Sequence, residues 1–246
     1  MKECVLTADK ITALTSDIYE MTLRGDVGAN RPGQFANISV PGKYLRRPIS
    51  VADFGGDYIT LVFRNTGAGT GTDIMSRAEV GDTFDVLTGL GNGYNLLASG
   101  KNPWLFGGGV GTPPIYALAK ALTEMGIKPT VALGFNSKSD IFYLDRFRAL
   151  GTELLVATVD GSYGQRGFVT SLIGSSVPSY YYACGPLPML RAVKSTVGDV
   201  GEMSFEERMG CGFGVCVGCT WNTKSGARRV CRDGPVFKTG EIIWKD

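Results

Sequence analysis

Four cysteines near the C-terminal end constrain this chain more than any other feature: Cys211, Cys216, Cys219 and Cys231 follow the spacing C-x4-C-x2-C-x11-C. That is a spacing by which four thiolates hold a 2Fe-2S cluster. Gly210, Gly212, Gly214 and Gly218, between and beside them, let the backbone wrap closely and aim N–H groups at sulfur, where such hydrogen bonds tune a cluster's potential. Structural zinc also takes four thiolates, but it favours C-x2-4-C pairs and has no need of so many glycines. Disulfides are the third reading. The choice decides function, because zinc carries no electrons. Cys4 and Cys184 are left over, and two unpaired thiols fit a reducing compartment, so a cytoplasmic location is expected. Cys4 reads as a small apolar residue on a strand.

The rest of the composition works mainly by exclusion. The chain has no histidine, which removes the histidine-dependent triad, the imidazole metal ligand and the imidazole general base. Lys and Arg exceed Asp and Glu by 25 − 23 = 2, so no field is expected that would draw a nucleic acid or an anionic membrane. The start, MKECVLTADK, carries charges where a signal peptide needs an apolar stretch, and no apolar run reaches the length of a membrane span. Length allows two ordinary domains and a small module at 246 residues.

Three segments are expected. Residues 1–98 read as short strands, with Tyr19, Met21 and Leu23 alternating, then Ala36, Ile38 and Val40, then Ile59, Leu61 and Phe63. Turns at Pro32-Gly33, Pro41-Gly42 and Gly55-Gly56-Asp57 separate them, which predicts an antiparallel barrel or sandwich. Residues 99–200 change to strand, glycine turn and helix. Trp104-Leu105-Phe106 runs into Gly107 to Gly111, and Pro113 and Pro114 open a helix whose Ile115, Leu118, Leu122 and Met125 share a face. Strands follow at 130–135, 154–159 and 180–183, with helices near 141–150 and over 187–197. Repeated βα units predict a parallel sheet with ligands at its strand ends. Residues 201–246 form the smaller cysteine segment.

Several loops are candidates for phosphate. Arg46-Arg47-Pro48-Ile49-Ser50 follows a turn and puts a cation and a hydroxyl on one short strand, an arrangement suited to a flavin phosphate, although a solvated arginine pair looks the same. The loop from Arg64 through Gly67, Gly69, Gly71 and Thr72 precedes a helix start at Asp73-Ile74-Met75-Ser76, capped by Thr72, whose free N–H groups would face a pyrophosphate; the alternative is a flexible hairpin. Gly107 to Thr112 reads G-x-G-x-x-T, departing from the dinucleotide fingerprint at its third glycine. With Asp160-Gly161-Ser162 and Cys184-Gly185-Pro186 after later strands, it suggests a single ligand crevice.

The order of these features resembles the ferredoxin-NADP reductase superfamily over nearly the whole chain: R-x-x-S on a barrel, GGGVGTPP, Cys184-Gly185-Pro186-Leu187-Pro188-Met189, then the spaced cysteines. More narrowly, Leu45 to Ser50, Leu90-Gly91-Asn92-Gly93-Tyr94 and Glu206 to Gly212 are similar to the electron-transfer subunits of dihydroorotate dehydrogenase B. The resemblance implies a ferredoxin-reductase-like FAD-binding β-barrel, a Rossmann-like α/β domain for NAD and a C-terminal 2Fe-2S domain. Arg47, Pro48, Ile49 and Ser50 would contact FAD, as would the strand end Val62, Phe63 and Arg64. The family's Gly-Thr pair at the pyrophosphate falls on Gly71-Thr72 or on Gly69-Thr70, and Gly71-Thr72 is favoured because it stands directly before the helix start. Gly108, Gly109 and Gly111 would line the nucleotide crevice, and Cys184 would approach the nicotinamide as the catalytic-site residue, unless it is a buried structural cysteine. The implied partner is an FMN-containing catalytic subunit, in a heterotetramer of two plus two. Electrons would run from dihydroorotate through FMN, cluster and FAD to NAD, in pyrimidine biosynthesis. That partner cannot lie in this chain, because a (β/α)8 barrel takes about 250 residues alone. Two rivals remain: a small FAD and 2Fe-2S subunit of a ferredoxin-dependent NAD(P) oxidoreductase or hydrogenase, and a zinc-stapled nucleotide-binding regulator.

Overall fold

The computed structural model describes residues 1–28, 30–174 and 178–244. Six antiparallel strands close a barrel in the order β1-β2-β5-β4-β3-β6: β1 (Lys2–Ala13), β2 (Ile18–Arg24), β3 (Phe35–Ile38), β4 (Arg47–Phe54), β5 (Tyr58–Arg64) and β6 (Thr83–Leu90). The alternating residues fill it, with Met21, Leu23, Ala36, Ile38, Ile59 and Leu61 all fully buried. Closure removes the sheet edges that a sandwich would leave. A short helix, α1 (Gly71–Ser76), plugs the connection between β5 and β6.

The second layer alternates strand and helix: β7 (Trp104–Gly108), α2 (Thr112–Glu124), β8 (Thr130–Phe135), α3 (Leu144–Ala149), β9 (Glu153–Thr158), β10 (Gln165–Arg166), β11 (Tyr181–Cys184), α4 (Leu187–Val197) and β12 (Gly201–Ser204). Proline in the first turn starts α2, and its Ile115, Leu118 and Leu122 pack onto the sheet, while Met125 sits at the C-cap and is exposed. The sheet order is β10-β9-β8-β7-β11-β12-β15, parallel except for β15 (Val236–Lys238), which runs against β12. The chain leaves β7 toward β8 and returns to β11 on the other side of β7, so the topological switch point lies between β7 and β11.

The sequence division at residue 200 differs from this arrangement. Gly201–Ser204 pairs with β11, and Val236–Lys238 closes the sheet edge, so the cysteine segment donates two strands to the α/β sheet. Between them lie the hairpin β13 (Thr220–Thr223) and β14 (Gly226–Arg229) and the single turn α5 (Val230–Asp233). The physical reason is the core: Cys219, Trp221, Cys231 and Phe237 are buried together with Phe35, Leu87 and Leu90 of the barrel and Phe106 of the sheet. Barrel and α/β sheet are joined by a further buried cluster and by ion pairs from Glu20 to Arg146 (2.7 Å) and Asp53 to Lys120 (2.8 Å). Among the described residues no helix is long and apolar enough to cross a membrane.

Candidate functional site

At the start of β4 the two adjacent arginines, Arg46 just before the strand and Arg47 its first residue, have different partners. Arg46 donates to both carboxylate oxygens of Asp85 (3.2 and 2.7 Å) and to its carbonyl (2.9 Å), so it is committed to the barrel wall. Arg47 has no carboxylate partner among the described residues, donates to the Leu45 carbonyl, and packs so closely on Gly71 that a Cβ there would strike the guanidinium. A guanidinium with no carboxylate partner among the described residues therefore lies against the first residue of α1. That helix is capped by Thr70, whose hydroxyl accepts from the Asp73 N–H, and not by Thr72 as the sequence suggested. The turn consumes the Gly69-Thr70 pair: Gly69 N–H donates to Asp73 and Thr70 N–H to Gly67. Gly69, then Asn65 and Arg77, hold the Asp73 carboxyl below the usual carboxylate range. The Thr72 hydroxyl accepts from Thr66 N–H, but among the described residues nothing accepts from the N–H groups of Gly71 and Thr72. Cation and open N–H groups together form a cradle suited to a pyrophosphate.

Strand register sets what lies beside that cradle. Phe35 pairs with Ser50 and Asn37 with Pro48, so these four side chains share the outer face of β3 and β4. Pro48 and Ser50 are half-buried on that face and open to a flat ligand, whereas Ile49 pairs with Ala36 and turns inward onto the barrel core, so only its backbone can meet a ligand there. The end of β5 behaves differently from expectation. Phe63 is buried inside the barrel and stacks on Tyr19, and Val62 packs toward the α/β layer, so neither side chain is free for a ligand. Arg64 reaches outward, pairs with Asp17 at 3.0 Å and walls the neighbouring crevice.

That crevice, about 440 Å³, opens at the C-terminal ends of the parallel strands. Gly108 and Gly109 line it. Gly111 does not; it packs on the Cys184 carbonyl, where any Cβ would collide, and so brings the loops after β7 and β11 together. Cys184 also lies outside the crevice wall, behind these loops, beside the hydroxyls of Ser204 and Tyr94. Burial pushes its thiol up to about 12, so it stays neutral and is no nucleophile. Sequence reading missed Asn136, Asp140 and Phe168, which also line the crevice. Phe168 is 68% exposed, an aromatic face in a loop with no periodicity to reveal it.

The cysteine loop wraps over the outer face of β3. Its thiols stand as two pairs: the Cys211 N–H donates to Cys216 Sγ (3.4 Å) and the Cys216 N–H to Cys211 Sγ (3.5 Å), while the Cys231 N–H donates to Cys219 Sγ (3.4 Å). Burial opposes ionisation of Cys211, but N–H groups of Cys216, Phe213 and Val215 outweigh it and bring the thiol down to about 6. Burial, then the neighbouring Cys219, pushes Cys231 up to about 12. Among the described residues no three His, Cys, Asp or Glu side chains close around one ion. Two pairs of thiols, with amides aimed at sulfur and Gly210 close to Cys216 Sγ, fit a two-iron cluster. Asn37 donates from Nδ2 to the Cys211 carbonyl at 3.3 Å and ties this loop to the barrel. The run Leu90 to Tyr94 ties the other end: Asn92 donates to the Val236 carbonyl (2.7 Å), accepts from its N–H (3.2 Å), and donates from its own N–H to Gly234 (2.8 Å).

Residues 206–243 match the family described as the iron-sulfur cluster binding domain of dihydroorotate dehydrogenase B. Over 98% of both chains, this protein is 42% identical to the dihydroorotate dehydrogenase B (NAD(+)) electron transfer subunit of Bacillus pumilus. It is 40% identical to the corresponding subunit of Fusobacterium nucleatum over 96% of both. Among solved structures, an NADH-dependent reduced ferredoxin-NADP oxidoreductase superposes with a TM-score of 0.88 at 29% identity, over 98% of this chain and 90% of that one. The flavohemoglobin of Malassezia yamatoensis shares the fold, with a TM-score of 0.68 at 17% identity, over 80% of this chain and 56% of that one.

Proposed function

Because this chain belongs to the family of electron transfer subunits of dihydroorotate dehydrogenase B, we propose that it relays electrons between a catalytic partner and NAD through a 2Fe-2S cluster and FAD, in the cytoplasm and in the service of pyrimidine biosynthesis. When bound, nicotinamide exchanges electron pairs as hydride, a cluster takes single electrons, and flavin converts between the two.

Each part of the chain has a role in that relay. Arg47 neutralises the FAD pyrophosphate, which the N–H groups of Gly71 and Thr72 also hold. Pro48 and the backbone of Ile49 support the flavin, and the Ser50 hydroxyl donates to it. Arg64 steadies the outer phosphates at the crevice rim. Gly108 and Gly109 let the backbone approach the dinucleotide, while Gly111 holds the Cys184 loop close. Cys184 stays protonated and backs the loops that line the crevice. Cys211 with Cys216, and Cys219 with Cys231, ligate the two irons. The partner is an FMN-bearing catalytic subunit, in a heterotetramer of two copies of each.

One observation carries this reading. The cysteine loop lies on the outer face of β3, and Pro48 and Ser50 lie on the same face of β4, one strand away, a spacing of about 4.8 Å between strands. A flavin and a cluster placed there are close neighbours. The isolated chain is expected to oxidise NADH with an artificial acceptor but not dihydroorotate; adding the FMN subunit is expected to restore dihydroorotate-dependent NAD reduction. Dihydroorotate turnover by the chain alone would refute the division of labour. The likeness to the ferredoxin-NADP oxidoreductase supports a second reading, the same relay serving a different partner, which the cofactor content of the co-purifying subunit distinguishes.

A further inference from the structure

Asn37 is 1% exposed, yet among the described residues its Oδ1 has no hydrogen-bond partner. Nearly every buried side-chain oxygen is satisfied, so an orphan needs a reason. Its other amide atom donates to the carbonyl of Cys211, a residue 174 positions away. Gly212, at φ +82°, leaves no space against this side chain: a Cβ there would strike Asn37 Nδ2. The strand on which Asn37 sits is fixed on both sides, by Pro48 of β4 and Leu87 of β6. Arg46, anchored on Asp85, also reaches the Asn37 carbonyl at 3.5 Å. Asn37 is therefore the rigid point at which the cysteine loop touches the strand beside Pro48 and Ser50.

We infer that Asn37 is a positioning residue that sets the gap between the cluster and the flavin, trading an unsatisfied acceptor for one hydrogen bond to the loop. This rests on the function proposed above. A side chain kept only for stability would be better replaced by an apolar one, because leucine removes the buried orphan. Asparagine at this place holds the Cys211 carbonyl, which leucine cannot do.

The test uses the full chain with its cofactors, as Asn37→Leu and Asn37→Ala, reduced anaerobically by NADH in a stopped-flow instrument. The unmodified chain is expected to show a flavin phase followed by a cluster phase; if it binds neither group, the functional proposal fails and not this inference. In both variants the flavin phase is expected to keep its rate and the cluster phase to slow. Losing one hydrogen bond of about 1 kcal/mol is expected to speed iron release to a chelator by about fivefold. Asn37→Ala, which adds no bulk against Gly212, is expected to melt only slightly lower than the unmodified chain, which separates anchoring from folding. Iron lost on purification with FAD retained is the extreme of the expected result. An unchanged cluster phase and iron release in Asn37→Leu would overturn the inference, as would loss of FAD together with iron.

Discussion

At the scale of single residues, neighbouring side chains of one type take different partners. Arg46, half-buried, is paired with Asp85, whereas Arg47 lies over Gly71 with no carboxylate partner among the described residues. Arg47→Ala is expected to weaken FAD by about 10- to 100-fold, the worth of a charge-assisted hydrogen bond of roughly 1.5–3 kcal/mol, with little change in melting temperature. Arg46→Ala is expected to do the reverse, lowering stability by about 1 kcal/mol and sparing flavin affinity. Flavin titration and thermal melts on the two variants check this pair. From the residues alone the two arginines look alike, and only the family resemblance singled out Arg47; the structural difference lies in Asp85, 39 positions from Arg46. The same holds for Gly111, which the sequence grouped with Gly108 and Gly109. Only the proximity of the Cys184 backbone shows that it is a packing glycine.

Elements were legible where their pattern is local. Alternation marked the barrel strands, and proline at its N-terminus marked α2. Thr72 was misplaced as a cap because two Gly-Thr pairs stand in tandem, and only the bond from Asp73 N–H to the Thr70 hydroxyl resolves them. Strands β12 and β15 were hidden for a different reason. Four and three residues long, they are held by partners from β11 and from each other, and so carry little pattern of their own. The motif Leu90 to Tyr94 was recognisable, but its work was not: Asn92 fastens the end of β6 to β15. Asn92→Ala removes three side-chain bonds to Asp233 and Val236, and is expected to cost about 1–3 kcal/mol and to raise hydrogen exchange across 233–238 before other segments. Uniform exchange across the chain would contradict that role.

For the whole molecule, the barrel, the sheet and the cysteine segment form one continuous packing, so the geometry between sites is fixed by shared cores and by a few buried polar links. Glu20 of β2 is the strongest of these, accepting from the Tyr143 hydroxyl and from Arg146 at 2.7 Å while 3% exposed. Burial, then the Glu20 carboxylate, pushes Tyr143 far above its ordinary value, so it remains a donor. Glu20→Gln is expected to destabilise the chain by about 1–3 kcal/mol, less than a fully buried pair because Arg146 reaches solvent; an unchanged denaturation midpoint would contradict it. The central claim is that this single body holds FAD and a 2Fe-2S cluster in electronic contact with NAD. The visible spectrum of the anaerobically purified chain, before and after NADH, with flavin, iron and zinc counted on the same sample, tests it most directly. About one flavin and two irons per chain, both bleached by NADH, is the result expected. A colourless protein holding zinc would contradict it.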